Sequence, residues 1–182
     1  MSDSIAPGLL IAVPQLLDDN FHRSVVFLIE HTSEGAFGVV INRPSTITVR
    51  ELASNLGLEY GGDPEARVLI GGPVQPERGL VLHTRSDTAA DSRSVTGSIF
   101  VCSTPASLQR AFSRRAGHAL CFAGYSGWGP GQLEREIEEG AWIPAPTDEA
   151  LIFDDDRQTL WDRALRQQGI DPRFLVRGGS VS

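Results

Sequence analysis

Five consecutive apolar residues, Val25-Val26-Phe27-Leu28-Ile29, constrain this chain more than any other feature. An alternating pattern would bury one face of a strand, whereas an unbroken run of this length suits a strand buried on both faces. The neighbouring segments follow the same logic. Gly8–Val13, Ser24–His31 and Phe37–Asn42 read as strands, and Ser33-Glu34-Gly35 has the chemistry of a hairpin turn between the second and third. Pro44 is expected to close the third strand, because it lacks an amide donor and restricts Arg43 before it.

Beyond Pro44 the punctuation changes. Thr48-Val49-Arg50-Glu51 has capping-box spacing and predicts a helix through Leu56, ended by Gly57. Short strands are expected at Arg67–Ile70 and Gly79–His83, joined by Gly71-Gly72-Pro73-Val74, followed by a mobile polar loop over Thr84–Ser94. Strand Ser98–Cys102 then leads to a helix with Thr104 as cap, Pro105 at its first position, and Leu108, Ala111 and Phe112 as its apolar stripe. His118–Tyr125 reads as a strand ending in the glycine-rich block Gly124–Gly131. A short acidic helix is expected at Gln132–Glu139, and further strand segments at Trp142–Ala145 and Leu151–Phe153. The last helix starts after the acids Asp154-Asp155-Asp156 and runs to about Gln168, with Leu160, Trp161, Ala164 and Leu165 inward. No repeat, linker or break in composition divides the 182 residues, so one domain spanning 1–182 is expected.

Composition excludes several chemistries. All 16 basic residues are arginine, so no lysine can serve as Schiff base, phosphate-loop cation or general base. A net charge of −7 argues against direct nucleic-acid binding, which needs many cations facing phosphates. Arg110, Arg114 and Arg115 are the best place for a local basic patch, though they also fit the solvated face of a helix. Cys102 and Cys121 sit in apolar runs and read as small buried hydrophobes of a reduced, cytoplasmic protein. The N-terminal stretch does not have the form of a secretory leader, and no run of about 18 apolar residues suggests a membrane span.

Four blocks occur in order: Arg23-Ser24-Val25-Val26 leading to Glu30-His31; Gly38-Val39-Val40-Ile41-Asn42-Arg43-Pro44; Gly71-Gly72-Pro73-Val74 with Glu77-Arg78-Gly79 and Leu82-His83; and Gly124-Tyr125-Ser126-Gly127-Trp128 with Gly131-Gln132-Leu133-Glu134. Through them the chain resembles the YqgE/AlgH family of bacterial proteins along almost its whole length. Ser126 stands where alanine is expected, and Cys102-Ser103 where the strand end is usually threonine-rich. The resemblance implies an α+β fold, with a mixed β-sheet curled into a pseudo-barrel and about four flanking helices. It also implies association with transcriptional regulation, including control of alginate production in some bacteria. It implies no established reaction.

The glycine-rich block fails three catalytic or cofactor templates. A nucleophile elbow needs G-x-S-x-G, yet Trp128 stands at the last glycine and no histidine follows. A dinucleotide fingerprint would need a third glycine where Gln132 stands. A phosphate loop would need a lysine. What remains is a backbone site for an anion flanked by Tyr125 and Trp128, or a tight connection whose aromatics fill the core. Among Glu134, Glu136, Glu138 and Glu139, solvation is expected for all but Glu134, with Leu133 and Ile137 facing inward. His22, His31, His83 and His118 lack metal-ligand spacing, so neither a metal nor a cofactor is expected. His31 and His83 both end strands and would need Glu30 to complete a metal site. Arg43 has the planar fork to hold a carboxylate or phosphate, or to tie down structure. The candidate ligand site therefore comprises Asn42, Arg43, Gly71, Gly72, Pro73, Tyr125, Gly127, Trp128, Gln132 and Glu134. The function read from the sequence is non-catalytic regulation through a protein partner or a small anionic ligand. The alternative is a small hydrolase or transferase with a strand-end histidine as base.

Overall fold

The computed structural model describes residues 4–16, 18–84, 92–113, 118–154 and 156–172. Two compact units emerge, the first made of Met1–Arg43 with Ser126–Ser182 and the second of Pro44–Tyr125.

The first unit is an antiparallel sheet. Its strands are β1 (Gly8–Ala12), β2 (Val25–Thr32), β3 (Gly35–Val40), β10 (Trp142–Ala145) and the last three residues of β9 (Ala119–Trp128). The pairing order is β10, β1, β2, β3, then the end of β9. The apolar run does what its pattern predicts: Val25 to Leu28 are fully buried and Ile29 nearly so. On one face Leu10, Ala12, Val26, Leu28 and Val40 pack with Trp128, Trp142 and Leu133, the last from helix α3 (Gln132–Glu138). Short helix α4 (Glu149–Ile152) and α5 (Leu160–Gln167) also belong to this unit. Helix α5 buries Leu160, Trp161, Ala164 and Leu165, as its periodicity predicts, and the Trp161 indole donates to the Ala12 carbonyl at 2.7 Å.

The second unit has a mixed sheet of β4 (Pro44–Thr48), β5 (Arg67–Ile70), the start of β9, β6 (Val74–His83), β8 (Phe100–Cys102) and β7 (Arg93–Ser94). Strand β5 runs parallel to β9, and every other pairing is antiparallel. Helix α1 (Val49–Asn55) has both halves of the capping box, worth about 1 kcal/mol together. Helix α2 (Pro105–Ser113) starts at the expected proline. Val49, Ala53, Val68, Val81, Cys102, Leu108, Phe112 and Cys121 form the core.

The α+β class and mixed sheet agree with expectation, with five helices among the described residues rather than about four. The extra helix is α4, where Leu151–Phe153 was expected to be a strand. A three-residue apolar run has no period of its own, and the Asp148 carboxylate, accepting from the Leu151 amide at 3.2 Å, fixes the helical turn. Pro44 opens β4 instead of closing β3, since the first position of a strand tolerates a missing amide. Strand β6 starts at Val74, five residues before the expected start, and β8 starts at Phe100. Residues 85–91 of the polar loop, Arg114, Arg115 and Asp155 lie outside the described residues. Among the described residues no helix is long and apolar enough to cross a membrane.

Candidate functional site

Asn42 and Arg43 follow β3 and reach back to the segment that precedes β2. The Asn42 side chain accepts from the Val25 amide and donates to the Arg23 carbonyl, both at 2.9 Å. The Arg43 guanidinium donates through Nη1 to the Asn20 carbonyl and through Nη2, at 2.9 Å, to the His22 carbonyl. Burial pushes this guanidinium below its ordinary value, with Asp18 acting against the shift. Between these anchors Arg23 holds φ at 55°, a left-handed conformation that costs a β-carbon residue about 1–2 kcal/mol. The two side chains hold that conformation in place, so the fork of Arg43 grips backbone carbonyls.

Trp128 and Gln132 meet at a residue the sequence reading assigned to solvent. Glu136 accepts from the Trp128 indole at 3.0 Å and the Trp142 indole at 2.9 Å through one oxygen, and from Gln132 at 2.9 Å through the other. Gln132 in turn accepts from the Gly129 amide at 2.9 Å, and its own amide donates to the Gly129 carbonyl. Phe21 stacks on Trp128 and meets Trp142 edge-on. Two amides that an anion would need at this connection are thus already satisfied internally. Moreover, Gly124–Trp128 belongs to β9, with Gly127 paired to Phe37, so the loop itself is confined to Gly129–Gly131. Trp128 is buried, as the core-filling alternative expects.

Glu134, on the same helix, faces the His31 ring. His31 Nε2 lies 3.2 Å from Glu134 Oε2, outside hydrogen-bond alignment. The other ring nitrogen, Nδ1, accepts from the Ile5 amide at 3.2 Å. That bond requires Nδ1 to carry no proton, and it places the neutral ring's proton on Nε2, toward Glu134. Glu134 is held below the usual carboxylate value first by its own backbone amide and then by the His31 ring and Arg135, against the effect of burial.

The remaining candidates lie in the second unit. The Gly71 amide donates to the Ala123 carbonyl at 2.9 Å, Gly71 and Gly72 are buried, Pro73 is exposed, and Tyr125 pairs with Val74. Gly124 has φ 74°, and a β-carbon there would lie 2.5 Å from the Gly72 carbonyl oxygen. The close approach, with the left-handed φ, explains why position 124 carries glycine. His83 is fully buried, stacks on Phe100, and places Nε2 3.1 Å from Ser92 Oγ. Burial, with Cys102 adding to it, pushes the Cys121 thiol up to about 12, so it stays protonated and unreactive. Among the described residues, no group of three or more His, Cys, Asp or Glu side chains is placed to hold a metal ion.

The structure therefore brings together Asn42 with Arg43, Trp128 with Gln132, and Gly71–Gly72 with Gly124–Tyr125, each within its own unit. Glu136 is the residue the sequence reading missed. Its one local signal is the i,i+4 spacing from Gln132.

An antiparallel sheet interrupted in sequence by a segment with its own mixed sheet, with helices accompanying both, places the chain in the α+β class. The chain belongs to the AlgH-like family, which matches residues 9–173. A UPF0301 protein of Myxococcus xanthus is 41% identical over 98% of this chain and 99% of its own length. Another, from Anaeromyxobacter dehalogenans, is 42% identical over 97% of this chain and 95% of its own. The solution structure of the AlgH protein from Pseudomonas aeruginosa superposes with a TM-score of 0.77 at 31% identity, covering 97% of both chains. A Corynebacterium diphtheriae protein at 24% identity shares the fold, with a TM-score of 0.78 over 96% of this chain and 93% of its own.

Proposed function

We propose that this protein is a non-catalytic regulator, acting on transcription through a protein partner or a small anionic ligand. The regulatory part of this reading comes from the family resemblance, and the geometry favours the protein partner. The observation that carries it is the placement of Ile47, Leu56 and Ile70, large apolar side chains 43–46% exposed, all within residues 47–70 of the second unit. A contiguous exposed apolar patch marks a contact surface, and these three side chains are proposed to supply one. The anionic ligand has weaker support, because Arg43, Gln132 and the Gly129 amide are engaged internally and Glu134 and Glu136 put carboxylates on the same helix.

Co-purification from the native cell with the wild type and with Ile47→Glu/Ile70→Glu tests this reading. A partner retained by the wild type and lost from a variant of unchanged thermal midpoint supports it. A partner equally retained by both sinks it.

One observation favours the enzymatic alternative: the His83 ring lies within reach of the Ser92 hydroxyl, the pairing a serine nucleophile needs. Labelling by a fluorophosphonate probe, abolished in Ser92→Ala, would establish that reading. Absence of labelling would remove it.

A further inference from the structure

Residues 4–7, which lead into β1, are held to the rest of the fold through one residue at the end of β2. Among the described residues, both hydrogen bonds that this segment makes outside itself go to His31. The Ile5 amide donates to ring Nδ1 and the Ser4 hydroxyl to the His31 carbonyl, each at 3.2 Å. Ile5 and Ala6 are half-buried and pack against the apolar cluster that includes Leu10, Leu28, Trp128 and Leu133.

Only a neutral ring can make the Ile5 bond, because an accepting Nδ1 carries no proton. The ring's proton then sits on Nε2, buried and without a hydrogen bond, 3.2 Å from Glu134 Oε2. Native structures rarely leave a buried donor in that state. An imidazolium reverses both relations. Its Nδ1–H meets the Ile5 N–H, donor against donor, while its positive charge draws the Glu134 carboxylate. The charged groups on that side are Glu134 and its neighbour Arg135, which favours the ionised carboxylate. Residues 4–7 carry no titratable side chain, and β3 places Ala36 opposite His31. Glu30, the preceding residue on β2, is exposed and belongs to the opposite face.

We propose that His31 is a proton-operated latch on residues 4–7, holding the segment while the ring is neutral and releasing it when the ring is charged. A proton taken from solvent at Nδ1 breaks the Ile5 bond and passes the ring from that segment to Glu134 on α3. Release uncovers the part of the apolar cluster that Ile5 and Ala6 cover. The latch uses none of residues 47–70 and is independent of the partner-binding reading above.

Nuclear magnetic resonance of the full chain between about pH 8 and about pH 5, where imidazoles change charge, provides the test. At the upper end, long-range proton–nitrogen spectra of the ring are expected to show Nε2 protonated and Nδ1 bare. As the ring charges, the Ile5 amide should lose protection against hydrogen exchange about fivefold, after correction for the intrinsic rate, through loss of one neutral hydrogen bond. His31→Asn keeps an oxygen acceptor near the Nδ1 position and cannot titrate, so its Ile5 protection should be the same at both ends. Glu134→Gln removes the carboxylate that receives the imidazolium and should move the change to lower pH. The proposal is overturned by a protonated Nδ1 at the upper end, by a ring that stays neutral throughout, or by Ile5 protection that ignores the ring's charge. An equal loss of protection in His31→Asn also overturns it; should that variant not fold, the wild-type ring spectra and Ile5 protection decide alone.

Discussion

In the first unit, polar side chains at strand and helix ends are turned onto the protein's own backbone and indoles. Arg43 grips two carbonyls, Gln132 closes the Gly129–Gly131 connection, and Glu136 collects two tryptophans. In the second unit, by contrast, large apolar side chains at positions 47, 56 and 70 are left exposed to solvent. The contrast teaches that residue type at a strand end is a poor guide to function when the neighbouring chain needs tying down. Here the named polar groups of the first unit hold structure, and three large apolar side chains of the second stay at the surface.

That contrast can be broken most severely at Glu136. Replacing it with Ala strips the acceptor from three donors and should lower stability by about 3 kcal/mol or more, whereas Glu136→Gln should lose roughly half as much. Urea unfolding followed by circular dichroism measures both. Gly124→Ala comes next, combining a left-handed backbone with a clash against the Gly72 carbonyl, and should cost about 2–3 kcal/mol on the same scale. Arg43→Ala should cost about 2 kcal/mol, and a variant of unchanged stability would show that the guanidinium is not structural after all. Ile47→Glu/Ile70→Glu should stay within about 0.5 kcal/mol of wild type in stability, because exposed positions contribute little to folding.

The smallest expected effect is on pH dependence. The Glu134 carboxyl lies below its ordinary value of 4.5 in the folded protein, so between the two values the unfolded chain binds more protons. Its stabilisation is therefore complete above about pH 4.5 and is lost as pH falls through the folded value. Glu134→Gln should flatten that part of the stability profile, and only slightly, since the group is largely solvent-screened. An identical acid limb in wild type and variant would show that the His31 contact does not contribute.

Much of the fold is legible where local chemistry and periodicity agree. The Thr48 capping box, the Thr104-Pro105 start and the inward stripe of α5 each follow from spacing, and each appears as read. The misreadings occur where tertiary context decides. Gln75–Arg78 is exposed and carries no apolar pattern, so its place in β6 follows from the pairing of Val74 and Gly79, on either side of it, with β9. Glu136 resembles its solvated neighbours, and only the folding back of Trp142 after the Gly140 turn makes it an acceptor at the centre of a cluster.

The aromatic inventory is divided along the chain in the same way. All three tryptophans, Trp128, Trp142 and Trp161, are buried in the first unit, and both tyrosines, Tyr60 and Tyr125, belong to the second. Two of the indoles also share one carboxylate as hydrogen-bond acceptor, a setting that tunes their emission colour. The native protein thus carries an unlabelled optical reporter of its first unit. Red-edge excited tryptophan emission follows that unit, while far-ultraviolet circular dichroism follows both, so coincidence or separation of the two signals during unfolding distinguishes one cooperative body from two.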